Sequence, residues 1–431
     1  MSFGIPTRSG LALGLPSVMA LASSFPYEGL ITPGVISPDL TFTRTQAAGD
    51  EATAAGLSTW QTYAADEPRF VTPYNGLLNE GQRTNGITNP REPGGTSWTL
   101  TNIASVTPIT GPDGVASNAS TINEGTANGT HIIQATIPSV YTTAHTLSVL
   151  LRPGTCNRCR VTFGGTGFGS TVTVSVLLTG AGSITATGAG ATNTSITAVN
   201  GWYRVQVSGL SLASGSTFAQ IRMLSATGSE GYTGTNRTLD VAWPQSEVSA
   251  AFASTPILPP IGAPGASTRN ADLVSAPLSS VGVADDGACT VLWSGQFAGL
   301  DSTSVQRLIV IDDGSDDNRA GFQQQAGTSL QVFRTTAGAS TTDAATTLAA
   351  VGVPLRVGVS IDGAGRVAAS VNGGVAIAVT GAPTSGLTTL RFGNDASGTA
   401  PFFGVMAYCV VLPFALSDAD LQAAVSSFPI P

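Results

Sequence analysis

The sequence predicts an all-β protein: two jelly-roll-like β-sandwich domains after an extended N-terminal attachment segment. Three observations point there. Short apolar runs rich in β-branched residues recur along the chain, each closed by Gly, Pro or Asn. The chain holds 52 Gly and 25 Pro, so turns must be frequent. Helical periodicity is confined to residues 417–425, "SDADLQAAV", where Ser417 is placed to cap a short helix.

Taken in order, residues 1–24 imitate a secretory signal, with one Arg, an apolar run and Ala20-Leu21-Ala22 before Ser23. Gly14, Pro16 and Ser17 interrupt that run, which favours a retained, extended attachment segment; a cleaved signal peptide is the alternative. No stretch approaches the roughly 20 continuous apolar residues of a membrane span. Strands are expected at 145–153, 170–180, 201–210 and 218–226, then at 289–297, 306–314, 330–336, 355–363, 366–374 and 389–395. Asp362-Gly363 and Asn372-Gly373-Gly374 read as hairpin turns, because glycine accepts positive φ without steric cost. Proline and small residues crowd at 86–96 and at 255–270, "TPILPPIGAPGASTRN". The predicted units are therefore an N-terminal segment (1–90), a first sandwich (91–255) and a second (271–431).

Charge restricts function. Charged residues make up only 10 % of the chain, the net charge is −8, and all 18 basic residues are arginine. Such a surface does not suit a nucleic-acid phosphate backbone. It suits neutral, hydrogen-bonding partners, of which sugars are the obvious class. Cys156 and Cys159 have CxxC spacing without a second pair, and His131 and His145 do not complete a zinc set. There is no GxSxG, P-loop or dinucleotide-binding glycine pattern. Glu80, Glu92, Glu124, Glu230 and Glu247 are scattered rather than paired as a glycosidase requires. No enzyme activity is expected.

Two polar stretches stand out. In "GLLNEGQRTNG" (76–86), Glu80, Gln82, Arg83 and Asn85 read as a structural clamp, with Glu80 and Arg83 as its ion pair. In "DDGSDDN" (312–318), Asp312, Asp313, Asp316 and Asp317 offer oxygens for calcium, the one cofactor the sequence suggests; a solvated turn is the alternative. Sugar contacts would use aromatic faces and amide or guanidinium donors: Trp98, Tyr141, Tyr232 and Trp243 in the first sandwich, Arg319 and Gln323 in the second. Trp202 and Trp293 sit in apolar strands and are expected in the cores.

Several segments resemble a module of bacteriophage and gene-transfer-agent virion proteins. "LTFTRTQAAGDEAT" (40–53), "ADEPRF" (65–70) and "GLLNEGQRTN" (76–85) follow its F-T-R-x-S, x-P-R-F and G-L-L-I-E-x-Q-R-T-N run. Trp98, "PDG" (112–114), "NGTH" (128–131), "GWYR" (201–204) and "WPQSEVSAAFASTPI" (243–257) resemble the adjoining carbohydrate-binding-module-like domain, and "STRNAD" (267–272) its closing T-R-A-A-D. The last region is similar to concanavalin-A/laminin-G-like sandwiches. Asn79, Gly86 and Thr255 depart from the family pattern. The resemblance implies a tail fibre, tail tip or head spike on the virion surface, assembled in the bacterial cytoplasm, that binds host surface polysaccharide. Its implied partners are other virion proteins and further copies of itself as a trimer, without nucleic acid or membrane insertion. A structural decoration protein, a capsule depolymerase and a secreted protein are the alternatives.

Overall fold

The computed structural model describes residues 30–44, 51–55, 60–71, 75–138, 143–169, 171–213, 217–284, 287–301, 304–381 and 386–430. The attachment or signal reading of residues 1–24 and the site residue Tyr141 lie outside them.

Two antiparallel sandwiches account for most of the chain. The first pairs a six-stranded sheet, in spatial order 103–109, 119–124, 238–248, 144–153, 202–210 and 191–199, with a second six-stranded sheet. That second sheet runs 183–187, 173–177, 158–165, 217–223, 131–137 and 98–101. Alternate residues from the two inner faces fill one core: Leu147, Val149 and Leu151 from one strand meet Val161, Phe163 and Ile221 from the other sheet. Trp202 and Trp243 pack instead in a smaller cluster with Trp60 and Leu258. The three-stranded sheet of 257–258, 51–55 and 60–63 supplies Trp60 and Leu258 to it.

The second sandwich is built from both ends of the described chain. Its nine-stranded sheet centres on Gly404–Leu412 and Cys289–Phe297, and it takes in Ile31–Thr32, Val35–Ile36, Phe70–Val71 and Gly76–Asn79. Its seven-stranded sheet begins with Thr41–Thr43 against Leu273–Pro277. Leu30, Ile31, Phe42 and Leu77 are therefore core residues of this sandwich, beside Trp293, Ile309 and Phe402. Part of the segment before residue 90 is thus woven into the C-terminal sandwich, while Trp60 and Ile87 pack with the first. The segment 255–270 is likewise no free linker, because Ser267–Arg269 pairs with Arg83–Asn85.

Among the described residues the α-helix is Asp418–Ser427, with Ser417 Oγ accepting from Asp420 N at its start. Its buried face, Leu421, Ala424 and Val425, packs on Leu292 and Ala368. No helix among the described residues is long and apolar enough to cross a membrane. Both expected turns form, with one change of residue. Asn372 and Gly373 have φ of 52° and 78°, the two left-handed residues of a type I′ hairpin. In the other turn the left-handed position is Gly365 (φ 103°) rather than Gly363, because the Asp362 carboxylate accepts from Ala364 N and Arg366 N and carries the turn two residues further. A Cβ at Gly373 would lie 1.9 Å from Ser426 Oγ. Gly373→Ala should therefore lower stability by about 1–2 kcal/mol, the cost of a left-handed L-residue, as read from the urea midpoint at unchanged m-value.

Candidate functional site

Where the two sandwiches meet, four sequence-distant segments deliver charged side chains to one buried volume. Arg44, Arg69, Arg269 and Asp272 are fully buried there, and Glu80 is 4 % exposed. Strand geometry explains the convergence. Gly76–Asn79 lies beside Gly404–Leu412, and Arg83–Asn85 lies beside Ser267–Arg269, so residues 80–82 cross from one sandwich toward the other.

Glu80 Oε2 accepts from Arg69 Nη1 at 2.9 Å, Arg269 Nη1 at 2.8 Å and Thr255 Oγ1 at 2.6 Å. Its Oε1 accepts from Thr255 N at 2.8 Å. Asp272 Oδ2 accepts from Arg69 Nη2 at 2.6 Å and Glu80 N at 2.8 Å, while Oδ1 takes Arg44 Nη1 at 3.2 Å. The remaining guanidinium arms reach carbonyls: Arg44 Nη2 donates to Ala64 and Arg269 Nη2 to Gly81. Burial alone would raise the Glu80 carboxyl, but Arg269 and Arg69, helped by both Thr255 hydrogen bonds, outweigh it and hold the group at about 2. Burial brings Arg269 down to about 10, still charged at neutral pH.

A second, amide-based knot adjoins the first. Asn85 Nδ2 donates to Pro244 and Ile257 carbonyls, and Asn85 Oδ1 accepts from Ile87 N and Ser246 N, so every polar valence of this buried amide is used. Gln245 Oε1 accepts from Ile257 N and its Nε2 donates to Glu247. Arg83 Nε lies 3.3 Å from Glu247 Oε2, and its guanidinium sits 4.4 Å from the Phe403 ring centroid.

Glu80 and Asn85 are thus each tied to distant segments, with a wiring that differs from expectation. Glu80 and Arg83 do not pair. Three apart along a strand–turn–strand stretch, they project to opposite sides, and each finds a partner from a distant segment. Gln82 belongs to no clamp: it is exposed, and its side chain makes no hydrogen bond to a described residue. Arg44, Arg69, Arg269 and Asp272 escaped the sequence reading as site residues. The signal that could have found them was the set of short motifs that each contains.

The sugar-contact candidates are mostly occupied elsewhere. Trp243 is 1 % exposed, donates Nε1 to Asn118 O at 3.0 Å, and meets Trp60 edge-on at 5.8 Å. Its backbone is left-handed within the strand (φ 49°). Tyr232 donates its hydroxyl to Glu124 Oε2 at 2.6 Å, with His131 4.5 Å and Arg237 4.8 Å from its ring. Neither presents a free aromatic face. Trp98 is half-buried and donates to Asn89 O. Gln323 is buried against Gln325 and Gln331, and Arg319 is paired with Asp316 and Asp395.

Calcium does not fit the acidic loop. Asp312 still belongs to the strand Gln306–Asp312, and its carboxylate turns to Arg391 at 2.6 Å. Asp313 caps Ser315 and Asn318, Asp316 pairs with Arg319, and Asp317 is exposed. The four carboxylates diverge, and among the described residues no group of three or more His, Cys, Asp or Glu could hold a metal ion.

Two clefts open beside the clamp and share Gln82, Arg83 and Ser249. One, of about 310 Å³, is closed by Gly86, Pro138, Ser246 and Val248 of the first sandwich. The other, of about 300 Å³, is closed by Asp301, Ser304, Thr399, Pro401 and Phe403 of the second.

No protein-family model matches the chain, and none of the curated proteins matches its sequence. Among solved structures it is similar to the CBM40 of the Ruminococcus gnavus IT-sialidase bound to α2,3-sialyllactose, with 20 % identity and a TM-score of 0.27, over 32 % of this chain and 82 % of that one. The SAP-like pentraxin of Limulus polyphemus matches at 15 % identity and a TM-score of 0.27, over 32 % and 70 %. Botulinum neurotoxin type C, in a study of its interaction with two ganglioside molecules, matches at 8 % identity and a TM-score of 0.27, over 37 % and 40 %.

Removing the Glu80 charge takes the anionic partner from Arg269 and one of two from Arg69. Glu80→Gln should cost about 3–5 kcal/mol by chemical denaturation, against under about 1.5 kcal/mol for the exposed-side change Gln82→Ala. The folded carboxyl titrates below its ordinary 4.5, so its contribution is complete above that pH and is lost as pH falls toward about 2. The Glu80→Gln variant should show a shallower fall of Tm across pH 4.5 to 2 than the unaltered chain.

Proposed function

We propose that the chain is a surface component of a bacteriophage-like virion, a tail fibre, tail tip or head spike, that attaches the particle to host surface glycan without cleaving it. One observation carries the reading. The segments that resemble the virion module, scattered from Arg44 to Asp272, meet in one buried network. A resemblance shared by residues that touch one another reflects a shared joint, which composition alone would not produce.

The charge pattern supports a glycan as partner. Exposed edge strands such as "ATNTSITAV" (191–199) and "ASTTDAATTL" (339–348) present hydroxyls and almost no charge. The carboxylates argue for binding over catalysis. A general acid needs a pKa raised toward neutrality, whereas Glu80 and Glu124 are both held at about 2 by arginine and hydrogen-bond partners against the push of burial. Single sugar sites are weak, so several copies per particle, as in a trimer, would supply avidity.

A ligand-free connector is the second reading. It is favoured by the burial of Trp243 and the engagement of Tyr232, which remove two of the sugar-stacking aromatics. Particles lacking the chain separate the two. The attachment reading expects antibody-gold labelling at the particle surface and a loss of adsorption to host cells, reversed by adding purified chain before deletion particles assemble. Unlabelled particles, or deletion particles that adsorb normally, would remove it.

A further inference from the structure

The clamp accounts for Glu80 and Asn85 but leaves the outward residues of the same stretch unexplained. Thr84 is tied by its hydroxyl to Thr268, but Gln82 is exposed where a purely structural turn would do equally well with any small residue. Gln82 borders both clefts, and Ser249 stands with it at their junction. The two clefts therefore form one groove that runs from the first sandwich across the joint to the second. Each half is near the lower end of the roughly 300–1,000 Å³ typical of small-molecule sites.

Its chemistry is mixed. Pro138 and Val248 on one side, and Pro401 and Phe403 on the other, offer apolar surface. The side chains of Gln82, Ser249 and Ser304 make no hydrogen bond to a described residue. Ser246 is 1 % exposed, lines the first cleft, and has a hydroxyl with no hydrogen-bond partner among the described residues. A buried hydroxyl left unpaired costs free energy that a ligand group could recover. The two arms of a pyranose, an apolar C–H face and a rim of hydroxyls, match apolar walls set between uncommitted amides and hydroxyls.

Charge selects among sugars. Among the described residues that line the groove, the only guanidinium is that of Arg83, already balanced by Glu247 at 3.3 Å and covered by Phe403. The one other ionic group on its walls is a carboxylate, Asp301, whose Oδ1 accepts from Ser304 N. Nothing cationic is left for a sialic acid or a phosphate.

We propose that this groove is the glycan site of the chain, and that it takes an uncharged oligosaccharide lying across the joint between the sandwiches. The proposal rests on the attachment reading and narrows it to a place and a sugar class.

The test titrates the full-length protein with fluorescently labelled cello-, chito- and galacto-oligosaccharides and with 3′-sialyllactose. Gln82→Trp and Ser304→Trp each place bulk in the groove from an exposed position, and Gln82→Ala removes one amide. The expected result is binding of at least one neutral probe, weakened about tenfold by either tryptophan and several-fold by Gln82→Ala. Unchanged Tm in these variants will show that the clamp is intact. Neutral binding that both tryptophan variants leave untouched would overturn the groove while leaving glycan attachment standing. Binding of 3′-sialyllactose alone would overturn the neutral class. Failure of the unaltered chain to bind any probe would remove the attachment reading, and the groove with it.

Discussion

Everything in this molecule hangs on two buried carboxylates that must remain charged. Glu80 and Asp272 are buried, where an isolated anion would be costly, and three arginines surround them. Each guanidinium acts as a fork that spans two acceptors. Arg69 joins Glu80 to Asp272, Arg269 joins Glu80 to the Gly81 carbonyl, and Arg44 joins Asp272 to the Ala64 carbonyl. An ammonium could carry the charge but would lack the planar, two-pronged reach. This gives the absence of lysine a structural reason at the centre of the fold. The same preference recurs outside it: Arg152 lies over Trp202 and Arg307 over Phe333, at 4.6 and 4.1 Å from the ring centroids.

The network also explains why the chain is threaded as it is. Arg44 and Arg69 come from the N-terminal strands, Glu80 from the crossing segment, Thr255 from the end of the first sandwich, and Arg269 and Asp272 from the entry to the second. Covalent order alone would leave the two sandwiches joined by a flexible proline-rich stretch. Burying one member of the network requires all the others, because any missing arm leaves an unpaired charge. The N-terminal strands are thereby held in the second sandwich, and residues 255–270 lose the freedom their composition suggests. Gly81 marks how tight the joint is: a Cβ there would come within 2.4 Å of Pro401 and 2.8 Å of Phe403.

The sequence made the strands legible and the joint obscure, for a physical reason. Alternation and turn residues are local signals, so the strands at Ala144–Pro153, Trp202–Leu210, Cys289–Phe297 and Pro354–Ile361, and the helix capped by Ser417, could be read directly. Ion-pair partners in a β protein are set by register between distant strands. Proximity along the chain suggested Glu80 with Arg83, whereas register brought Arg69 and Arg269. The acidic loop failed in the same way: four aspartates close in sequence diverge because the first is still in a strand whose neighbour carries Arg391. Aromatic exposure was also illegible. Trp243 and Tyr232 lie next to Pro and Gly, which suggests loops, yet Asn118 and Glu124 draw their polar ends inward.

A rigid joint has a consequence for weak binding. Sugar ligands give up much of their interaction energy to ordering, so a groove assembled from two mobile domains would bind feebly or not at all. Here the residues that set the distance between the groove walls are those with no freedom: Asn85 is tied at all four valences, and Gly81 is pressed against Pro401. Gln82 and Arg83, between them, inherit a fixed position from their neighbours on either side. The polar stretch that looks at first like a catalytic cluster thus divides its labour by direction. Its inward residues tie the two sandwiches together, and its outward residues border the two clefts beside that joint.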